Sequence, residues 1–230
     1  MKILFVSLMS SCNQNPLCDY CPVKKWLVPI NSQRNDINLI TNKDLLKWID
    51  EFLPSGVPIE FTGGEPALYE IDELLDELQA RNRHGIVKTN GIKQIKKVPN
   101  FQIVTAWHKN CEFPKTSYDW ILIIRNPDDN WQDKVNYCES NNIPYKTVAF
   151  NGEISEVNHT IKGIMHINSS GQITPCPKCN VRKDLTIFNM SSCDFRPVGK
   201  NFSCKACKNI HDAEIFMPDE IKKAMNNYEE

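Results

Sequence analysis

A short apolar run, Ile3-Leu4-Phe5-Val6, leads into Cys12-Asn-Gln-Asn-Pro-Leu-Cys18-Asp-Tyr-Cys21. The run has the length and composition of a buried strand, so three thiols ride on one loop at a strand end. No other stretch restricts the chain as much. Thiolates are good ligands for soft metals and for iron–sulfur clusters, and the fold must gather these three around one centre. Three cysteines suit a four-iron cluster whose fourth iron is open to another molecule, whereas structural zinc sites close with four ligands. The plainer alternative is a zinc knuckle completed by a histidine.

A second stretch, Ile59-Glu60-Phe61-Thr62-Gly63-Gly64-Glu65-Pro66, is again a strand running into a turn. Adjacent glycines let a backbone approach a ligand closely, and Glu65 adds an acceptor for an amine. Alone, this is an ordinary Gly-rich turn with a solvated Glu. With the cysteine loop, it resembles the radical S-adenosylmethionine (SAM) superfamily over residues 1–150. In that superfamily a three-cysteine loop follows the first barrel strand and a Gly-Gly-Glu-Pro turn follows the second. Tyr20, the aromatic residue before the last cysteine, fits the same pattern. Five residues separate Cys12 from Cys18 where three are usual, so no particular subfamily is assigned.

The resemblance implies a [4Fe-4S] cluster on Cys12, Cys18 and Cys21, its open iron chelating the amino and carboxylate groups of SAM. Gly63, Gly64 and Glu65 would hold the SAM amino group. Thr89 and Asn90 stand where the superfamily often places polar contacts to SAM; a plain Asn-Gly turn is the alternative. An electron from the reduced cluster would break a C–S bond of SAM, and the resulting 5′-deoxyadenosyl radical would abstract a substrate hydrogen. The protein's share is to hold the reagents and exclude water. An electron donor such as flavodoxin or ferredoxin is implied as partner.

Composition narrows the remaining classes. Lys and Arg total 27 against 28 Asp and Glu, so there is no strong nucleic-acid signal. No apolar run approaches the roughly 20 residues of a membrane span, and the N-terminus lacks the pattern of a signal peptide. The 10 cysteines could form a secreted disulfide framework. Eight of them, however, fall in two tight clusters, and no export signal is read. Metal ligation in a reducing, cytoplasmic compartment accounts for them better.

At 230 residues the chain can hold one domain and a small appendage. Thr41-Asn-Lys-Asp44 has the form of a capping box, and Leu45, Leu46, Trp48, Ile49 and Phe52 follow at helical spacing until Pro54 and Gly56. Residues 71–83 and 129–141 predict two more helices. Strands are expected at 3–6, 58–62, 85–89, 101–106, 120–124 and 145–150. This alternation predicts a parallel sheet with helical crossovers. With the resemblance it becomes an α/β fold, a six-stranded partial (β/α)6 barrel, trimmed where the links after the third and fourth strands are short. Ligands of such sheets lie at the carboxyl ends of the strands, where every motif above falls. The expected domains are a barrel over 1–155 and a cysteine-rich unit over 156–230 that ends in a short helix.

The second unit opens with a hairpin, Gly163–Asn168 and Gln172–Thr174 around Ser169-Ser170-Gly171. Cys176, Cys179 and Cys193 follow, then Cys204-Lys-Ala-Cys207. This resembles the auxiliary-cluster appendages called Twitch or SPASM domains, which implies a second, auxiliary [4Fe-4S] cluster. A zinc ribbon on Cys176, Cys179, Cys204 and Cys207 is the alternative, because two Cys-x-x-Cys pairs point to a metal without saying which.

His108, beside Trp107 at the end of the fourth strand, is a candidate to contact substrate or shuttle a proton. Arg125, ending the fifth strand, is a candidate to bind a carboxylate or phosphate. The remaining histidines, His166 among them, read as structural, and Cys111 and Cys138 as single free thiols. The leading expectation is a radical SAM enzyme acting on a peptide or on a small metabolite or nucleotide. The competing class is a non-enzymatic, cysteine-rich zinc module that binds RNA or protein.

Overall fold

The computed structural model describes residues 3–9, 11–14, 28–29, 39–109, 111–114, 116–126, 128–149, 164–174, 188–189, 194–195, 201–203 and 210–212. The strands of the barrel are β1 (Ile3–Val6), β2 (Ile59–Phe61), β3 (Gly85–Thr89), β4 (Phe101–Ala106), β5 (Trp120–Arg125) and β6 (Tyr145–Ala149). They pair parallel in that order. Helix α1 (Asn42–Phe52) crosses from β1 to β2, α2 (Ile71–Ala80) from β2 to β3, and α3 (Trp131–Ser140) from β5 to β6. No helix is described between β3 and β4 or between β4 and β5, where the sequence leaves short links.

Helix α1 begins as its sequence dictates. The backbone N–H of Asp44 donates to Thr41 Oγ1 at 3.1 Å, and Thr41 Oγ1 donates to the Asp44 carboxylate at 2.7 Å. Leu45, Leu46, Trp48 and Ile49 form its buried stripe. Helix α2 ends three residues earlier than its apolar period predicts. Asn82 takes a left-handed φ of 56°, and Arg83 turns back to α1. Its guanidinium donates to the carbonyls of Leu53 at 2.8 Å and Ile49 at 3.0 Å, satisfying the end of α1. The pull on Arg83 is non-local, so the helical pattern misses it.

The sequence predicts six parallel strands, and a seventh is present. β7 (Ile164–Ile167) pairs parallel with the free edge of β1, and β8 (Gln172–Thr174) pairs antiparallel with β7. The expected hairpin forms, but it continues the barrel sheet. Two-residue strands β9 (Phe188–Asn189) and β10 (Asp194–Phe195) extend it further. The whole runs β10-β9-β8-β7-β1-β2-β3-β4-β5-β6, an open sheet with seven parallel strands. Separately, β11 (Asn201–Ser203) pairs antiparallel with β12 (Ile210–Asp212).

Strand register sorts the side chains onto two faces. Leu4, Val6, Ile59, Phe61, Val87, Phe101 and Ile103 join α1 and α2 in one buried core. Ile121 and Ile123 join Val135 and Cys138 of α3 in a second. The face without helices carries Glu60, Lys88, Val104 and Trp120, with Lys88 Nζ on the Glu60 carboxylate at 2.5 Å.

Candidate active site

Two turns meet at the carboxyl ends of β1 and β2. Leaving β1, Ser7 is held by its N–H to the carbonyl of Ile167 at 2.8 Å. Its hydroxyl shares a 2.8 Å hydrogen bond with Nε2 of His166 on β7. Burial pushes the His166 imidazolium down to about 3, so the ring is neutral. A short parallel bridge between Ser11–Cys12 and Val28–Pro29 then closes the base of the cysteine loop.

The glycines of the second turn are packed beneath this loop. Gly63 and Gly64 have φ of 77° and 58°, the left-handed region in which a side chain is disfavoured. A Cβ on Gly63 would strike the Ser7 hydroxyl. One on Gly64 would strike the carbonyl oxygens of Met9 and, at 2.6 Å, Ser11. The N–H of Glu65 donates to that Ser11 carbonyl at 2.8 Å. Thus the adjacent glycines let the turn lie against the backbone of the cysteine loop.

Glu65 is 1% exposed, not solvated. Its Oε1 accepts from the Thr89 hydroxyl at 2.6 Å and the Ala67 N–H at 3.0 Å. Its Oε2 accepts from the Asn90 N–H at 2.7 Å. Burial pushes the carboxyl up, against the opposing pull of Thr89, Asn90 and Ala67. Glu65 therefore clamps the turn after β2 to the turn after β3. Thr89, 4% exposed, spends its proton on Glu65 and accepts from the Gly91 N–H at 3.1 Å.

Asn90 carries the connection to Cys12. Its Oδ1 accepts from the Ile92 N–H at 3.0 Å, which fixes the amide with its NH2 toward the cysteine loop. Nδ2 donates to Asn13 Oδ1 at 2.6 Å and approaches Cys12 Sγ at 3.6 Å. The Gln14 N–H approaches the same sulfur at 3.5 Å, and its side-chain amide donates to Cys111 Sγ at 3.3 Å. N–H donors aimed at a partly buried sulfur suit the electron-rich sulfur of an iron ligand. Cys12 and its surroundings thus fit a cluster ligand. Cys18, Cys21 and Tyr20 lie outside the described residues, as do Cys176, Cys179, Cys193, Cys204 and Cys207.

His108 follows β4 on a loop tied to this assembly. The Cys111 N–H donates to the His108 carbonyl at 3.3 Å, and Lys134 Nζ donates to the same oxygen at 3.0 Å. Burial, then the Lys134 charge, pushes its imidazolium down to about 4. The ring is neutral near pH 7 and can donate or accept a proton. Arg125 is exposed and shares its side of β5 with Ile121 and Ile123, the side that packs on α3. The fold brings Cys12, Gly63, Gly64, Glu65, Thr89 and Asn90 together and leaves Arg125 apart.

Ser7, His166, Asn13, Gln14 and Cys111 escape a motif-based reading. Ser7 and His166 meet only because β7 docks beside β1. Gln14 and Cys111 meet across 97 positions of chain. The position of Ser7, directly after the first strand, is the one local signal.

No family model matches the sequence, and no curated protein matches it. Solved structures do. The chain is similar to Streptococcus suis SuiB bound to the precursor peptide SuiA, with a TM-score of 0.54 and 15% identity over 78% of this chain and 60% of that one. Against SuiB bound to S-adenosylmethionine the TM-score is 0.45 at 16% identity, over 78% and 59% of the two chains. Against QueE from Escherichia coli it is 0.38 at 13% identity, over 63% and 84%. This chain thus spans about 60% of the length of the SuiB it matches. The open sheet of seven parallel strands is the fold that this chain shares with SuiB.

Proposed function

We propose that the chain is a radical SAM enzyme that uses a [4Fe-4S] cluster on Cys12, Cys18 and Cys21. One observation carries this reading. The loop holding Cys12 and the Gly63-Gly64-Glu65 turn are locked together at the carboxyl ends of β1 and β2, with the Glu65 N–H on the Ser11 carbonyl at 2.8 Å. A solvated Gly-rich turn has no need of that contact or of a buried Glu. When bound by Cys12, Cys18 and Cys21, the cluster would supply the electron for reductive cleavage of SAM. Gly63 and Gly64 offer main-chain groups to the SAM amine. Among the described residues Glu65 Oε2 accepts only from the Asn90 N–H, so it can also take the SAM amine while Glu65 holds the turn of Thr89 and Asn90. Neutral His108, on the loop after β4, is the candidate to move a proton at its ring nitrogen.

The substrate is a peptide or a small metabolite or nucleotide, and an electron donor such as flavodoxin or ferredoxin reduces the cluster. SuiB, which shares the fold, is bound to a precursor peptide, and this favours the peptide. Cys176, Cys179, Cys193, Cys204 and Cys207 supply a second metal site, an auxiliary [4Fe-4S] cluster of the Twitch or SPASM kind or a zinc. Metal analysis after anaerobic reconstitution tests both assignments. Two four-iron clusters give about eight irons per chain, and replacing Cys176, Cys179 and Cys193 together removes about four of them. About four irons with one zinc, and no iron lost on substitution, identifies a zinc appendage. Zinc alone at both sites contradicts the radical reading.

A further inference from the structure

Among the described residues, Asn90 is the side chain that reaches from the turn after β3 to a cysteine of the first loop. Its amide is oriented from three sides. The main-chain N–H is held by Glu65 Oε2 at 2.7 Å, Oδ1 is held by the Ile92 N–H at 3.0 Å, and Nδ2 is drawn toward Asn13 Oδ1 at 2.6 Å. With Oδ1 committed, the two N–H bonds point at Asn13 and at Cys12 Sγ, 3.6 Å away. Such a constraint is more than a plain Asn-Gly turn requires, since the turn is already closed by Thr89 Oγ1 and the Gly91 N–H.

We infer that Asn90 is a positioning residue that donates a hydrogen bond to the Cys12 thiolate and thereby raises the reduction potential of the cluster that Cys12 ligates. The inference rests on the radical SAM reading for the cluster itself. Reduction adds negative charge to the iron and its sulfur ligands. A donor on one of those sulfurs stabilises the electron-rich form more than the oxidised one, and hydrogen bonds to ligating sulfurs are among the determinants of cluster potential. Glu65 serves the same end indirectly, because its grip on the Asn90 N–H fixes where the amide stands. The clamp between the two turns would then set an electronic property as well as a shape.

The test is a redox titration of the reconstituted full chain, followed by electron paramagnetic resonance without SAM. Asn90→Asp keeps the acceptor for the Ile92 N–H and replaces only the donor with an anionic acceptor. Asn90→Leu removes both. The expected result in each is a cluster harder to reduce by about tenfold in its oxidised-to-reduced ratio, equivalent to about 59 mV for one electron. Retention of the wild-type potential in an Asn90→Asp chain with full iron content overturns the inference and leaves the radical SAM reading standing. A wild-type chain that takes up no four-iron cluster overturns both. A second measurement needs no variant: wild-type protein labelled with 15N at the asparagine side-chain amide should show hyperfine coupling to the reduced cluster. Absence of that coupling contradicts the hydrogen bond even if both variants fail to hold iron.

Discussion

Gly64 is required by the packing of its turn against the cysteine loop. Its φ of 58° and the Met9 and Ser11 carbonyls standing where a Cβ would go make Gly64→Ala strained and crowded at once. We expect a loss of about 2 kcal/mol or more in urea denaturation, and reduced iron uptake because the cysteine loop is displaced. Gly56, where an added methyl would meet nothing within 4 Å, is the control, and Gly56→Ala should stay within about 0.5 kcal/mol. The buried His166 and the partly buried His108 predict an acid-sensitive fold. His166 and His108 are pushed down to about 3 and about 4 from an ordinary value of 6.5. Below pH 6.5 the unfolded chain takes up protons that the folded chain refuses, so stability is full above that pH and falls as the pH drops toward 4. Each histidine adds up to about 1.4 kcal/mol per pH unit to the slope. Glu65, pushed up, acts with the opposite sign: the folded state holds its proton to higher pH and gains on acidification. Urea midpoints at about pH 7 and about pH 5 should fall apart in the wild type and draw closer in His166→Leu. The same pH response in the wild type and in His166→Leu would contradict the burial of the His166 ring.

At the scale of elements, α3 supports the site from behind. Lys134 on α3 and Asp129 before it form an ion pair at 2.6 Å, with side chains only 8% and 7% exposed. Lys134 Nζ also donates to the His108 carbonyl and lies 5.6 Å from the Trp107 ring centroid. Lys134→Met keeps the stem but leaves Asp129 buried without its partner, and should cost about 3–5 kcal/mol in a thermal or urea melt. A cost under about 1 kcal/mol would mean that water reaches Asp129. The element boundaries show what a sequence carries and what it does not. Helix α1 is legible because its cap and its apolar stripe are local: Thr41 and Asp44 are three residues apart. The end of α2 is not, because Arg83 is drawn to carbonyls 30 and 34 residues away. β7 is legible as half of a hairpin with β8. Its parallel partnership with β1, 159 positions from Ser7 to His166, leaves no mark on either segment.

Across the whole molecule, the sheet order follows from alternating strands and helices, and the motifs fall at strand ends as parallel sheets require. The cysteine loop and the Gly-Gly-Glu turn are legible because each is a short, unusual string. Their union is not: the Glu65 clamp, the Asn90 bridge and the Gln14–Cys111 contact join turns that only the assembled sheet brings side by side. Arg125 reads as a site residue for the same reason. Its place at a strand end is visible in sequence, while its side of the sheet depends on register with β4 and β6. If this sheet end holds a cluster that cleaves SAM, one measurement bears on it most directly. The anaerobically reconstituted chain is reduced with dithionite, SAM is added, and 5′-deoxyadenosine is quantified in the wild type and in Cys18→Ala. The expected result is product from the wild type and none above background from a Cys18→Ala chain that remains folded by circular dichroism. Equal product from both, or none from an iron-replete wild type, would contradict it.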